Sequence, residues 1–167
     1  MIRFVLLLAT AIAAVPLPLC AQQGRDALHV EIFGAALMGS VNYERLLTDH
    51  LSARAGMGYF PRLLKSGDRL HGPLMATVRT GRGEHQAEAG AGVVLVYGLT
   101  RSPEEGTPSD LGWQEPYATA SLGYRFEAGA GRKREGGIYR VVFSPFYDGE
   151  LHPFVGVSVG FYLSALR

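Results

Sequence analysis

With 167 residues, 16 lysines and arginines against 15 aspartates and glutamates, and a single cysteine, the chain is about one domain of near-neutral polypeptide. That balance, with no basic run beyond Arg132-Lys133-Arg134, gives nucleic-acid binding no electrostatic footing, and one cysteine excludes an internal disulfide framework. Past the N-terminus no segment has the unbroken apolar length of roughly 20 residues that a membrane helix needs, so any crossing would be made by strands.

Residues 1–21 read as a secretory signal. Arg3 opens it, an apolar run from Phe4 to Val15 follows, and Pro16-Leu17-Pro18 precedes Leu19-Cys20-Ala21, with cleavage expected after Ala21. Cys20 raises lipid attachment as a second fate, although Leu19 stands where a small residue should precede a lipidated cysteine. Cleavage removes the cysteine and leaves 22–167 as one domain that folds without covalent cross-links.

Eight segments then alternate apolar with small or polar residues: Ala27 to Phe33, Ser40 to Leu47, Leu51 to Phe60, Leu74 to Thr80, His85 to Leu99, Tyr117 to Phe126, Ile138 to Ser144 and Pro153 to Leu163. Successive side chains of a strand point to opposite faces, so each segment carries two different surfaces. The fifth is the clearest, with Ala87, Ala89, Ala91, Val93, Leu95 and Tyr97 on one face and Gln86, Glu88, Gly90 and Gly92 on the other. Val94 and Val96 blur its far end. An even number of antiparallel strands can close on itself, and closure avoids the several kcal/mol that each unpaired backbone group costs in lipid.

The connections differ in kind. Thr48-Asp49-His50 and Gly81-Arg82-Gly83 are tight turns, whereas Pro61 to Pro73, Thr100 to Pro116 and Pro145 to His152 are longer and rich in Gly, Pro and charge. Pro61, Pro73, Pro103, Pro108, Pro116, Pro145 and Pro153 all fall in or beside the longer set, as expected of a residue that cannot donate to a ladder. The stretch from Glu127 to Gly137 is a long turn of the short set, made easy to fold by Gly129, Gly131, Gly136 and Gly137. Gly34 to Gly39 is short and apolar through Ala35-Ala36-Leu37-Met38, and reads either as a loop or as an extension of the first hairpin.

One face of the strands is apolar throughout. The other collects Glu31, Glu44 and Glu88 with Arg54, Arg79, Arg125 and Arg140, an expected ion-paired network if that face lines a narrow barrel. An eight-stranded barrel has an interior that side chains can fill, so the lumen should be plugged rather than open. Alternation does not say which face is inside. The second reading is therefore an exported soluble barrel of lipocalin type, its apolar face enclosing a small apolar ligand. Aromatic residues favour the membrane: Tyr59, Tyr97, Trp113, Tyr117, Phe146 and Tyr147 cluster near one set of strand ends, and Tyr43, Tyr124, Phe126, Tyr139 and Phe161 near the other.

The strand Ser40-Val41-Asn42-Tyr43-Glu44-Arg45, the strand Ala87-Glu88-Ala89-Gly90-Ala91-Gly92, Gly123-Tyr124-Arg125-Phe126 and the Gly-rich last strand resemble the small single-chain outer-membrane barrels of Gram-negative bacteria, the OmpA/OmpX-type class. The resemblance implies an all-β, eight-stranded, antiparallel up-and-down transmembrane barrel after a cleavable signal. It also implies an outer-membrane location, membrane lipid and the barrel assembly machinery as partners, a monomer, and a structural or surface role without catalysis. No cofactor and no metal are expected, since His29, His50, His71, His85 and His152 are scattered. Some lipid A deacylases of this barrel type use a His-x-Ser pair, which His50-Leu51-Ser52 resembles; a turn histidine followed by a lumen serine is the plainer account, because a nucleophile also needs an orienting third group. Trp113, the single tryptophan, sits in the acidic loop with Glu104, Glu105 and Asp110 and is a candidate outer contact.

Overall fold

The structure, a computed structural model, describes residues 26–60, 68–80, 83–99, 111–129, 136–147 and 149–163. The signal expected at 1–21 and its Cys20 lie outside them, as do most of the two longest loops. The strands are β1 (Asp26–Ile32), β2 (Gly39–Leu46), β3 (Leu51–Phe60), β4 (Arg69–Arg79), β5 (His85–Gly98), β6 (Gly112–Trp113), β7 (Tyr117–Glu127), β8 (Gly137–Phe143), β9 (Phe146–Tyr147), β10 (Leu151–His152) and β11 (Val155–Tyr162). Each of the eight long strands pairs with its neighbours in sequence, and β1 pairs with β11, so the sheet closes: β1-β2-β3-β4-β5-β7-β8-β11 and back to β1, antiparallel at every step. This is the all-β, eight-stranded up-and-down barrel that the alternation predicts.

The three two-residue strands are extensions of the wall. Ala118↔Tyr147 keeps the register of Leu122↔Phe143, and Leu151↔Tyr147 keeps that of Val155↔Phe143, so β9 continues β8 and β10 continues β11 past the breaks at Ser144-Pro145 and Pro153-Phe154. The tight turn after β2 is pinned by the Thr48 hydroxyl, which accepts the amides of His50 at 3.2 Å and Leu51 at 3.0 Å. It lies at the same end as Arg79 of β4 and Glu127 of β7, the short-turn end; Ile32 of β1, Phe60 of β3, Gly98 of β5 and Phe143 of β8 stand at the other, the long-loop end.

Three sequence expectations are corrected. Pro73 does not border a loop: β4 starts at Arg69, and Pro73 is buried inside it opposite Val94. The ring removes an N–H only on one side, and the β3–β4 ladder skips there, between Ala55↔Leu74 and Gly58↔His71, while the β4–β5 ladder runs on. Glu127 belongs to β7 rather than to a turn, because pairing with Ile138 carries the strand one residue further. Residues 35–38 do not prolong the first hairpin, which ends at the Ile32↔Gly39 pair. They fold inward instead, with Ala35 and Ala36 both buried.

The two faces sort as a barrel in lipid requires. Val30, Val41, Met57, Val78, Leu122, Val141, Val157 and Val159 are exposed on the outside. Glu31, Glu44, Arg54, Arg79, Glu88, Arg125 and Arg140 are buried inside, so the apolar face encloses no ligand cavity of lipocalin type.

Candidate functional site

The lumen is stacked in layers from one end to the other. At the short-turn end Ala27, Leu46, Ile138 and Tyr162 form a small apolar floor. Above it stands an ion-paired layer built from seven of the eight long strands. At the long-loop end lies an apolar layer of Ala35, Met75, Val94, Val96, Tyr117 and Phe146, with Leu37 and Phe154 packed on it.

All seven residues assigned to the lumen from the sequence come together in the ionic layer, and two more join them. Arg125 from β7 reaches across the barrel: its Nη1 donates to Glu44 Oε2 at 2.7 Å and its Nε to Glu127 Oε1 at 2.6 Å, with Glu88 Oε2 at 3.8 Å. Glu127 Oε1 also accepts Arg79 Nη1 at 2.7 Å and the Tyr162 hydroxyl at 2.6 Å, which ties the apolar floor to the charges. Glu44 takes the Ser52 hydroxyl at 2.6 Å and His29 Nε2 at 2.8 Å. An ionised carboxylate only accepts, so His29 carries its proton on Nε2. Arg140 holds Glu88 through both Nε and Nη2 and lies 3.6 Å from Glu31 Oε2, and Arg54 Nη1 donates to the same Glu31 oxygen at 3.1 Å.

The result is one connected chain of charge, Arg54–Glu31–Arg140–Glu88–Arg125–Glu44 with Glu127 and Arg79 as a branch. Four guanidinium groups face four carboxylates, so the layer is neutral by composition. Apart from Arg125 and Glu127, which share β7, the paired groups come from different strands, and Glu44 and Arg125 are 81 positions apart. The pairs therefore hold opposite walls together, and removing one member would leave its partners buried and uncompensated. Small residues make room for them: a methyl group at Gly56 would overlap Asn42, and one at Gly160 would meet the ring of His29.

Glu127 and His29 are the functional residues that the sequence reading missed. Both were accessible to the same alternation, since Glu127 continues Gly123 and Arg125, and His29 lies between Ala27 and Glu31 on the inward row. Ending the strand at Phe126 hid the first, and weighing His29 only for metal-ligand spacing hid the second.

At the long-loop mouth the turn between β1 and β2 forms the lid of the apolar layer. Phe33 N–H donates to Met38 O and Leu37 N–H to Gly34 O, both at 3.0 Å, so the turn is a compact unit. Its Ala35 N–H donates to Glu31 Oε1 at 3.3 Å, and the Tyr117 hydroxyl donates to Ala35 O at 3.2 Å. Having given its proton there, that hydroxyl accepts from His71 Nδ1 at 3.0 Å. Phe33 and Leu37 hold φ of 57° and 70°, left-handed values that cost a non-glycine residue roughly 1–3 kcal/mol each. Burying the methyl groups of Ala35 and Ala36 offsets part of that cost, at about 0.8 kcal/mol each.

His50 and Ser52 are not brought together. Ser52 is fully buried with its hydroxyl on Glu44, while the exposed His50 donates through Nδ1 to the carbonyl of Arg79 at 3.2 Å. Trp113 lies on β6 beside the long-loop end, 74% exposed, with its ring edge-on to Tyr97 at 5.3 Å.

No family model matches the sequence, and no curated protein matches it. Among solved structures the chain is similar to the N-terminal β-barrel domain of Pseudomonas aeruginosa OprF, with a TM-score of 0.63 and 15% identity, over 83% of this chain and 97% of that one. At that identity the likeness shows a shared fold, the closed eight-stranded barrel.

Proposed function

We propose that the chain is an integral outer-membrane β-barrel protein of a Gram-negative bacterium, with its lumen plugged by ion pairs, and that it acts structurally or through its outer loops rather than as an enzyme. The observation that carries this reading is the inversion of the wall, charges inward and Val30, Val41, Val78, Val141, Val157 and Val159 outward. In water that outer surface would be an apolar patch encircling the molecule, far beyond what soluble monomers leave exposed. In a bilayer it is the lipid-facing band, and the rings of Tyr43, Tyr124 and Tyr139 at one end and Tyr59, Trp113 and Tyr147 at the other are its interfacial girdles. The likeness to the OprF barrel domain supports the same assignment.

Outer-membrane barrels turn their longer loops outward and their short turns to the periplasm. On that orientation the long-loop ends of the strands face outside, and Trp113 stands at the outer rim, the most exposed large apolar side chain among the described residues. Membrane lipid is the partner of the wall, the assembly machinery inserts it, and the closed sheet leaves no edge strand to recruit a second copy, which favours a monomer. Against catalysis stand the separation of His50 from Ser52 and the arginine partners of Glu31, Glu44 and Glu88.

Boiled and unboiled outer-membrane fractions compared by gel mobility test this reading. A folded barrel resists detergent until heated and migrates as a more compact band; recovery in the soluble fraction without any heat-dependent shift would overturn the membrane assignment. Planar-bilayer recording tests the plug, for which closed baselines are expected and a steady open current is the contrary result.

A further inference from the structure

We propose that the turn from Phe33 to Met38 is a detachable stopper of the long-loop mouth, exchanging between the seated position and one swung clear of the barrel that admits water as far as the Arg54–Glu31 pair. The inference goes beyond a permanently plugged lumen, and it rests on the closed-barrel reading above for its seated state.

The turn is able to leave without unpairing a strand, because the β1–β2 ladder ends at Ile32↔Gly39. Its internal bonds, Phe33 N–H to Met38 O and Leu37 N–H to Gly34 O, travel with it, and the last β1–β2 pair, Ile32↔Gly39, serves as the hinge. Its backbone carries two non-glycine residues in the left-handed region, Phe33 and Leu37, strain of the kind that clusters in switch segments. Among the described residues the contacts that hold the turn seated include the Ala35 amide on Glu31, the Ala35 carbonyl on the Tyr117 hydroxyl, the Phe33 ring beside Phe154, and the apolar seat under Ala35 and Leu37.

The wall is shaped to receive it on both flanks. On β11 a methyl group at Gly156 would stand 2.8 Å from Gly34 Cα and 3.0 Å from Phe33 O. On β3 one at Gly58 would stand 2.8 Å from Ala36 Cβ. Glu31 couples the stopper to the layer beneath, since one carboxylate oxygen holds the turn and the other holds Arg54. Unseating the turn removes one donor from that carboxylate and leaves the wall-to-wall ion pairs in place.

The test reads how often the mouth opens. The full chain carries Cys20→Ser, so that Val96→Cys, in the apolar layer under Ala35, supplies the single thiol; the probe is a membrane-impermeant maleimide applied to protein reconstituted in lipid vesicles. Slow but measurable labelling is expected. It should rise roughly fivefold when Tyr117→Phe removes one latching hydrogen bond, and severalfold when Gly156→Ala wedges the seat. Gly72→Ala, whose added methyl group meets nothing nearer than 3.7 Å, should leave the rate unchanged. Equal rates in all four backgrounds, or no labelling in any, would overturn the stopper. Val94→Cys repeats the experiment should Val96→Cys fold poorly. Gel mobility of each unboiled sample separates the two levels of argument, because a lost heat-dependent shift condemns the barrel reading, whereas an intact shift with invariant labelling condemns only the stopper.

Discussion

The middle of the lumen and its long-loop mouth are both buried, but they are built on opposite plans. The middle is made of long charged side chains from the wall that meet across the barrel, and its ion pairs, apart from Arg125–Glu127 within β7, tie together different strands. The mouth is closed by a short piece of backbone lying on apolar side chains, with two hydrogen bonds to the wall among the described residues. The contrast separates what fixes the barrel from what can move in it. An ion pair that opens in a low-dielectric interior strands a charge, whereas an apolar turn that lifts away exposes methyl groups and gives its amides to water.

The sharpest way to break that contrast is Arg125→Met. Arg125 serves Glu44 and Glu127 directly and lies within 3.8 Å of Glu88, so its loss leaves three buried carboxylates short of their cation. The expected cost is about 3–5 kcal/mol in urea unfolding from lipid vesicles. Adding Glu44→Gln should recover part of that loss, the signature of coupling in a double-mutant cycle. A cost near zero would mean that the layer is not what ties the walls together.

Glu127→Gln is the next largest. Glu127 accepts from Arg79, Arg125 and Tyr162, and an amide keeps one acceptor oxygen but loses the charge that strengthens all three bonds. A loss of about 1.5–3 kcal/mol is expected from weakened charge-assisted hydrogen bonds. Ser52→Ala should cost about 1 kcal/mol through the single bond to Glu44, and cells overproducing it or the parent protein should carry the same lipid A. A difference in lipid A between the two would restore the enzymatic reading of His50 and Ser52.

The ionic middle was legible in the sequence and the mouth was not, for a physical reason. A period of two is imposed on every residue of a strand, so Glu31, Glu44, Arg54, Arg79, Glu88, Arg125 and Arg140 announce a shared face in the sequence itself. Which side of the wall that face takes is not a property of any one strand, and only closure of the sheet decides it. Val94 and Val96 spoil the alternation because they answer to Tyr117, Phe146 and the inturned Ala35, none of which is near them in sequence. Pro73 misled for a related reason: its cost depends on which neighbour it faces, and that is set by register. The inward fold of residues 35–38 likewise depends on bare wall at Gly58 and Gly156, two strands that sequence reading cannot set beside the turn.

Tyr117→Phe carries the comparison into the mouth itself. The hydroxyl joins His71 to Ala35 O, so its removal should cost about 0.5–1.5 kcal/mol, below either charge deletion. The ring stays, and with it the packing against Phe146 at 5.0 Å between centroids. If the mouth is the loose region, this variant unfolds in urea almost as the parent does while the thiol at position 96 reacts faster, because local opening and global unfolding draw on different contacts. A loss as large as that of Arg125→Met would instead mean that mouth and middle form one cooperative unit, with the turn as much a part of the barrel as its strands.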